Sequence, residues 1–404
     1  MAGCEREILD EANELLPDAV TLRRKLHANP ELGLDLPETR AAVLEALADI
    51  EIEIELSEAT SGLTATLRGE ESGPGILLRA DMDALPIVEN TGLDFASKIP
   101  GRMHACGHDA HTAMLVGAAR ILDRHRSRLS GSVSLLFQAG EEGHFGARRM
   151  LDEGLLIRHP ELRAAFALHV DPGNPVGQLA CRPGPVMAAA DVFSIELQGR
   201  GGHASMPHNA IDPIPVACEI VLALQTMVTR RIDAFDPVVL TATKISAGTT
   251  ANVVPASAQV VGTLRSVSDR SRREAQRGIR RVAEQLAAAH EVEATVHVID
   301  GYPPTLNDGE FVEFVRRVAI DLVGDESYLE MPAPIMGAED FSYVLQQLPG
   351  AMMFLGARDE SVDPAAPCHS DKMQLDEDGM ATGIAIHAAV ALDYLRAQAA
   401  EGVR

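Results

Sequence analysis

Residues 103–122, MHACGHDAHTAMLVGAARIL, join a dense group of metal-capable side chains to the start of an apolar segment. Four such side chains fall within eight residues: His104, Cys106, His108 and His111. A thiolate and an imidazole two residues apart can reach one borderline-soft cation when the backbone between them is extended. Gly107 lets the backbone bend there because it lacks a Cβ, and the apolar run after it predicts a buried helix. Helix caps and packing around a core cysteine use the same residue types, but this density beside Asp109 favours a metal site.

On both sides of this stretch, apolar strand-like segments alternate with helical ones. The segments SGLTATLRG, GILLRADMD, GSVSLLFQAGEEG and LRAAFALHVD are rich in apolar and β-branched residues. Residues 109–127 and the segment GARRMLDEGLL predict helices between them. Strands that are apolar on both faces and separated by helices are typical of parallel sheets covered by helices. The predicted fold class is therefore α/β, with a largely parallel sheet.

Polar side chains cluster where these predicted strands end. Asp81 and Asp83 follow GILLRA, Glu141 and Glu142 follow SLLFQAG, and His169 follows AAFAL. Ligands of open α/β sheets bind at the carboxyl ends of the strands. One such coincidence fits an ordinary polar loop, but three of them beside a cysteine and histidine cluster indicate a functional site.

The pattern changes near residue 185, where a Pro- and Gly-rich segment, CRPGPVMAAAD, ends the first run of strands and helices. The following residues predict the order βαββαβ, which matches a ferredoxin-like sandwich of one sheet and two helices. Beyond GYPPTLND the first domain resumes. We therefore expect a catalytic domain built from residues 1–184 and 299–404, with residues 185–298 inserted as a lid and dimerisation domain.

Charge and composition exclude several classes of function. The 404 residues carry a formal net charge of −24, which disfavours binding to nucleic acid and to anionic lipid. No apolar stretch of about 18 residues predicts a membrane span. The N-terminus is acidic and amphipathic, unlike a signal peptide. The five cysteines are scattered, which is typical of a reducing compartment, so we expect a cytoplasmic protein.

The metal-capable residues outnumber the ligands that one zinc ion needs. The candidate ligands are Cys106, His108, Glu142, His169 and His369. Because one structural or catalytic zinc takes three or four protein ligands, two divalent cations that share a bridging ligand would use this set better. Glu141 then remains unligated. A free carboxylate beside two cations is the general base that metal-assisted hydrolysis requires.

Nine segments of the chain together resemble the landmarks of one family. In order they are RRKLHANPELG, LRADMDALP, MHACGHDAH, QAGEEG, ALHVDP, GRGGHASMPH, ANVVP, GAEDFS and PCHS, and they run from residue 23 to residue 370. They are similar to those of the dinuclear-metal aminoacylase and carboxypeptidase-G family of metallopeptidases, peptidase family M20. Within it, they resemble most the branch of N-acyl-amino-acid amidohydrolases, which includes hippurate hydrolases and plant auxin-conjugate hydrolases.

The resemblance implies a role for each candidate ligand. Cys106 would bridge two metals, the other four ligands would complete the two coordination shells, and Glu141 would be the base. Many relatives have His at the position of Asp81 and Asp at the position of Cys106, and these differences mark the amidohydrolase branch. The family pattern also has Pro where this chain has Asp371, beside His369. The implied cofactors are two divalent ions per chain, zinc or manganese, with cobalt or nickel as alternatives.

Further residues are candidates for binding substrate. The resemblance implies that His203 reaches the active site of a partner subunit and stabilises the developing oxyanion, although it also fits an exposed loop histidine. Asn252 resembles the substrate-binding asparagine of the family. Arg265 fits a clamp for a substrate carboxylate and equally a surface ion pair. Glu339 fits the substrate pocket, or the start of a helix where an acid favours the dipole.

Asp83 and Asp109 fit carboxylates that orient metal-binding imidazoles, and they fit surface or capping positions equally well. His104 and His111 correspond to family positions that do not usually bind metal, so we expect them either to pack in the core or to contact the metal ligands from behind.

These observations predict a metal-dependent amidohydrolase that cleaves a small N-acyl amino acid into a carboxylic acid and a free amino acid. The expected assembly is a homodimer, or a tetramer built from it. Three alternatives remain open. One is a dipeptidase or carboxypeptidase of the same family, one is a hydrolase with Cys106 as nucleophile, and one is a non-catalytic protein that binds metal or acyl amino acids.

Overall fold

The computed structural model describes residues 4–362 and 364–402, and the chain within them divides into two compact units. The first unit contains the described residues up to Gly184, Leu306–Pro332, and those from Tyr343 onwards. The second contains Pro185–Thr305 and Ala333–Ser342. Residues 1–3, 363, 403 and 404, which belong to the predicted catalytic ranges, lie outside the described residues.

Helices and strands alternate along most of the described chain. The helices are α1 Cys4–His27, α2 Pro37–Ala46, α3 His108–Arg124, α4 Gly146–Asp152, α5 Leu155–Arg158, α6 Pro213–Arg231, α7 Asp269–Ala289, α8 Gly309–Val323, α9 Ser342–Leu345 and α10 Gly379–Gly402. The strands are β1 Glu53–Leu56, β2 Leu63–Arg68, β3 Gly75–Asp81, β4 Ser132–Gln138, β5 Leu162–Asp171, β6 Leu179–Cys181, β7 Gly184–Met187, β8 Ala189–Gln198, β9 Gly202–His203, β10 Val238–Ala247, β11 Val253–Val254, β12 Ser257–Ser266, β13 Glu293–Ile299, β14 Thr305–Asn307, β15 Tyr328–Glu330 and β16 Gly350–Gly356.

The first unit is built on an eight-stranded mixed sheet with the order β1-β2-β4-β3-β5-β16-β6-β15. Its central strands β4, β3, β5 and β16 pair in parallel, and antiparallel pairs lie towards the edges. Every residue of β3, β4 and β16 is buried. Strands covered by helices on both faces lose the in-and-out alternation of an exposed sheet, which explains their continuous apolar sequences.

Helices α1, α3 and α10 pack against one another, and α3 and α10 also pack against this sheet. Helix α3 comes close to α10 at Gly117, where a Cβ would lie only 2.8 Å from Cδ1 of Ile384. The close contact fixes α3, and the first residue of α3 is the candidate ligand His108.

The second unit has the order βαββαβ in β8, α6, β10, β12, α7 and β13. Its sheet has the order β10-β12-β8-β13, and all of its pairs are antiparallel. Asp212 caps α6 and Ser268 caps α7 by accepting backbone N–H groups. Phe193, Leu264 and Ile279 lie in its separate core. The predicted α/β fold with a ferredoxin-like insertion is confirmed. Among the described residues, no helix has the length and apolar character needed to cross a bilayer.

Candidate metal centre

The candidate ligands of the first unit come from the ends of parallel strands and the start of α3. His169 lies near the end of β5, and Glu142 follows β4. His108 begins α3 directly after Gly107, which has a φ of 84°. A Cβ at Gly107 would lie 2.4 Å from Cγ2 of Val170, so a larger residue would be strained and would also push against the strand that carries His169.

Five side chains surround one space in the first unit. Ligand atoms of Cys106, His108 and His169 lie within 4.8 Å of one another, and so do those of Cys106, Glu142 and His369. Cys106 belongs to both groups, as a bridging thiolate would. Its Sγ lies 3.5 Å from Nε2 of His169, and Oε1 of Glu142 lies 3.2 Å from Nε2 of His369.

Hydrogen bonds fix which ring nitrogen of His108 and His169 is free to bind a cation. Nδ1 of His108 lies 2.7 Å from the carbonyl oxygen of Asp83, and Nδ1 of His169 lies 2.7 Å from that of Val170. A carbonyl oxygen only accepts, so each Nδ1 carries a proton and Nε2 offers its lone pair in the neutral ring. Within the described residues, Nε2 of His108 is buried without a hydrogen-bond partner, and the buried Oε1 of Glu142 pairs only with His369. This donor set fits divalent transition-metal ions.

The site concentrates charge around His108. Burial lowers the pKa of His108, but the carboxylates of Asp81 and Asp83 outweigh burial and raise it to about 10. The pKa of Glu142 is lowered, because the hydrogen bond to His369 and the charge of His108 outweigh burial. A cation that binds here must displace the proton of His108, so metal binding is coupled to proton release.

The Glu141–Glu142 turn is held by a single carboxylate. Oδ1 of Asp83 accepts the backbone N–H of Glu141 at 2.9 Å, and Oδ2 accepts that of Glu142 at 3.0 Å. Glu141 is 6% exposed, and a carboxylate oxygen of Glu141 lies within 4.8 Å of ligand atoms of His108 and Glu142. Asp83 therefore contacts both the base candidate and, through its carbonyl group, the ligand His108.

Asp109 lies in a buried ion cluster with helix α1. Its Oδ2 is 3.2 Å from Nε of Arg23 and 2.8 Å from Nδ1 of His27. Although burial alone would raise the pKa of Asp109, Arg23 and His27 together lower it. These contacts link Asp109 to the packing of α1 on α3.

Cys368 is a neighbour of the site that the sequence did not single out. The backbone N–H of His369 donates to the carbonyl of Ala105 at 2.7 Å, which brings the loop of His369 beside Cys106. The contact between the two thiols, together with burial, raises the pKa of Cys106 well above its usual value. The same contact lowers the pKa of Cys368 to about 7. His369 has a φ of 68°, a strained backbone conformation of the kind that recurs at functional sites.

Comparison with known proteins decides the family. The sequence pattern of Peptidase family M20/M25/M40 matches residues 77–393. The chain belongs to this family. The predicted resemblance is therefore confirmed, and the M20 chain is a metallo-amidohydrolase.

Individual relatives cover most of the M20 chain. It is 40% identical over 387 residues to the IAA-amino acid hydrolase ILR1-like 2 of Arabidopsis thaliana, and the matched region covers 95% of this chain and 86% of the relative. It is 40% identical over 339 residues to the N-acetyl-L-cysteine deacetylase of Bacillus subtilis, over 83% of this chain and 80% of the relative. The crystal structure of a dinuclear metal binding peptidase of the M20 family from Bacillus subtilis has a TM-score of 0.83 and 34% identity, and covers 95% of this chain and 99% of that chain.

The four candidate substrate-binding residues of the M20 chain lie in the second unit. His203 in β9 pairs with Val253 in β11, and the N–H of Ala204 donates to the carbonyl of Asn252 at 3.1 Å. His203 and Asn252 therefore lie on one small ribbon, and both are exposed. The ring of His203 contacts Ser205, whose N–H donates to Nδ1 at 3.1 Å.

The other two candidates are placed differently within the second unit. Arg265 lies in β12 opposite Val239 and is partly exposed. Glu339 is 2% exposed and stands three residues before α9, where its Oε1 accepts the N–H of Phe341 at 2.9 Å. A buried carboxylate that accepts a local N–H is consistent with a structural role near the start of the helix as well as with a pocket role.

Proposed function

We propose that the chain hydrolyses the amide bond of N-acyl amino acids to a carboxylic acid and a free amino acid, with two divalent cations bound per chain. The single observation that carries this proposal is the sharing of Cys106 between two groups of ligand atoms, with a carboxylate oxygen of Glu141 within 4.8 Å of ligand atoms of His108 and Glu142. The names of the plant hydrolase and the bacterial deacetylase support an N-acyl amino acid as substrate. Zinc or manganese suits the mixed sulfur, nitrogen and oxygen donors, with cobalt or nickel as alternatives.

The five proposed ligands are Cys106, His108, Glu142, His169 and His369. When bound, the cations would polarise the scissile carbonyl and acidify the attacking water. Glu141 accepts the proton of that water and delivers it to the nitrogen of the leaving amine, so that the C–N bond breaks to a carboxylic acid and an amine. Asp83 holds the backbone of Glu141 while this proton moves.

The residues of the second unit are proposed to bind the substrate. His203 of one subunit would support the oxyanion in the active site of its partner, which requires a homodimer or a tetramer built from dimers. Asn252 would bind the acyl amino acid, and Arg265 would pair with its carboxylate. Glu339 would line the same pocket. In this proposal, residues 185–298 form the lid and dimerisation domain between the catalytic segments 1–184 and 299–404.

Composition supports the proposed surroundings and partners. The net charge of −24 disfavours nucleic acid and membrane surfaces as partners, which leaves a small molecule. Cys106, Cys181, Cys218 and Cys368 are all free thiols, which fits the proposed cytoplasmic location.

A substrate screen tests the proposal against its alternatives. Release of free amino acid is measured with N-acetyl, N-benzoyl, long-chain acyl and indole-acetyl amino acids, and with dipeptides in parallel. Faster hydrolysis of dipeptides would favour the dipeptidase or carboxypeptidase alternative. Activity that survives a chelator but not a thiol reagent would favour Cys106 as nucleophile. Tight binding without any turnover would favour a non-catalytic protein.

A further inference from the structure

His111 connects the end of strand β3 to the backbone beside His169. Its Nδ1 lies 2.6 Å from Oδ1 of Asp81, and its Nε2 accepts the backbone N–H of Val170 at 2.9 Å. The side chain is 1% exposed, so both hydrogen bonds are shielded from water. A buried histidine with both nitrogens bonded has one defined tautomer, because a backbone N–H only donates. The ring proton is therefore on Nδ1 and is donated to Asp81.

His111 takes the place of a strand partner for the backbone N–H of Val170. Strand β5 pairs with β3 only as far as Ala167, opposite Arg79, whereas its pairing with β16 on the other side continues to Asp171. The N–H of Val170 would be left without a partner beyond the end of the β3 ladder. Nε2 of His111 accepts it there, and this satisfies a buried donor that would otherwise destabilise the strand end.

The same residue, Val170, also sets the state of the proposed ligand His169. Its carbonyl oxygen accepts the proton of Nδ1 of His169 at 2.7 Å, which leaves Nε2 of His169 directed at Sγ of Cys106, 3.5 Å away. A chain of hydrogen bonds thus runs from Asp81 through His111 and Val170 to His169. We propose that His111 is a positioning residue that fixes Val170 and thereby holds the Nε2 lone pair of His169 towards the metal site.

His111 itself does not fit a metal ligand. Asp81, His108 and His111 do bring ligand atoms within 4.8 Å of one another. However, both nitrogens of His111 are already bonded, and Oδ2 of Asp81 pairs with the buried guanidinium of Arg79 at 2.8 Å. Burial, which outweighs the attraction of Asp81, lowers the pKa of His111 to about 4, so the ring stays neutral as its acceptor role requires.

Two substitutions of His111 test its hydrogen bonds to Asp81 and to Val170 separately. The amide of His111→Gln reaches the place of Nε2 and keeps an acceptor for the N–H of Val170. The amide of His111→Asn reaches only the place of Nδ1, so it keeps the bond to Asp81 and leaves Val170 without a partner. Thr112→Val is a matched control, because it removes the buried hydrogen bond of Thr112 to the carbonyl of Asp81 at 3.0 Å without touching Val170.

Two quantities are measured for each variant after its metal has been removed with a chelator. The first is its affinity for Zn²⁺, determined by competition with a chromophoric chelator. The second is its thermal unfolding temperature. Loss of an outer partner of a metal-binding histidine typically weakens metal affinity about 10–100-fold. We expect His111→Asn to show this loss of affinity for one of the two zinc equivalents. His111→Gln should bind both equivalents with near wild-type affinity. Thr112→Val should unfold at a lower temperature but bind zinc with unchanged affinity. His111→Asn with wild-type affinity for both equivalents overturns the inference, as does an equal loss in His111→Asn and His111→Gln.

The inference rests on the proposed metal centre. Titration of the wild-type protein distinguishes failure of the metal centre from failure of the role proposed for His111. A wild-type protein that binds no divalent ion overturns the metal centre itself, whereas wild-type binding with an unaffected Asn variant overturns only the role of His111. If the His111→Asn variant does not fold, the protonation state of His111 in the wild-type protein tests the inference instead. In its ¹⁵N-histidine NMR spectra at pH 6, His111 is expected as the neutral tautomer with the proton on Nδ1. A proton on Nε2, or a charged ring, overturns the inference.

Discussion

Asp83 holds Glu141 in place through the backbone, with Oδ1 of its carboxylate 2.9 Å from the N–H of Glu141. The turn that carries Glu141 is thus held at its backbone. A general base must keep a constant position beside the reacting water. The contact between Asp83 and Glu141 provides that constant position and sets the first expectation.

Replacing the base should remove turnover without removing the cations. We expect Glu141→Gln to bind two equivalents of metal and to lose about 10²–10⁴-fold in kcat, the usual contribution of a positioned base. Glu142→Gln is the matched control, since it should lower metal affinity as well as activity. Metal content by elemental analysis and kcat on the best N-acyl amino acid give the answer. A Glu141→Gln enzyme with more than about a tenth of wild-type turnover contradicts the assignment.

The bridging role of Cys106 predicts a coupled loss of both cations. Cys106 is common to both groups of ligand atoms, so Cys106→Ala should weaken binding of both equivalents rather than one. Cys368→Ser is the control, because Cys368 lies beside Cys106 but is not among the proposed ligands. Titration of the chelator-treated variants with Zn²⁺ gives the two affinities. An alanine variant that loses only one equivalent shows that the thiolate does not bridge.

His203 is expected to act across a subunit interface. Glu141→Gln chains and His203→Ala chains should each be inactive alone. After subunit exchange, a mixed dimer holds one site with an intact base and an intact His203 from its partner. Activity should then return to about half of wild type per mixed dimer, since one of two sites is whole.

The exchange itself is verified by mass spectrometry of differently tagged chains. Confirmed exchange without recovery of activity places His203 in its own subunit or outside the reaction. An enzyme that is active as a strict monomer excludes the cross-subunit role directly.

A buried histidine predicts how stability depends on pH. His387 in α10 is 1% exposed, and its ring centroid lies 5.4 Å from that of Phe166. Burial lowers the pKa of His387 to about 3 from the ordinary value of 6.5. The unfolded chain therefore takes up a proton that the folded chain excludes, and the folded state loses stability as the pH falls below about 6.5.

The variant His387→Leu removes this proton uptake. Its stability relative to wild type should rise by about 1.4 kcal/mol for each pH unit below 6.5, and the difference should be constant above pH 7. Urea unfolding midpoints at pH 7.5, 6 and 5 measure this. If the stabilities of the two proteins changed in parallel with pH, His387 would take up its proton as readily in the folded state as in the unfolded state, which would contradict the prediction.

The structure brings the candidate ligands together, and sequence patterns could single them out because their signals are local. Cys106 and His108 stand close together in the chain, Glu142 follows β4, and His169 lies near the end of β5. The carboxyl ends of parallel strands then bring these positions to one edge of the sheet. The second unit could be predicted for a similar reason, since the joint near residue 185 and the βαββαβ order are both visible in the sequence.

The contacts between distant segments could not be predicted in the same way. The bond from Val170 to His111 depends on where the β3 ladder stops, and the two residues are 59 positions apart. Asp109 stands beside the cluster in sequence, yet its carboxylate contacts Arg23 and His27 of helix α1. Such pairings depend on the packing of helices and on strand register, which are properties of the whole fold.

The central claim is that two bound cations and the residues around them hydrolyse N-acyl amino acids. The most direct measurement is release of free amino acid by chelator-treated protein as Zn²⁺ or Mn²⁺ is added back in known equivalents. We predict no activity without metal and a maximum near two equivalents per chain. Activity that persists in metal-free protein, or two bound equivalents with no hydrolysis of any N-acyl amino acid in the screen, would contradict the claim.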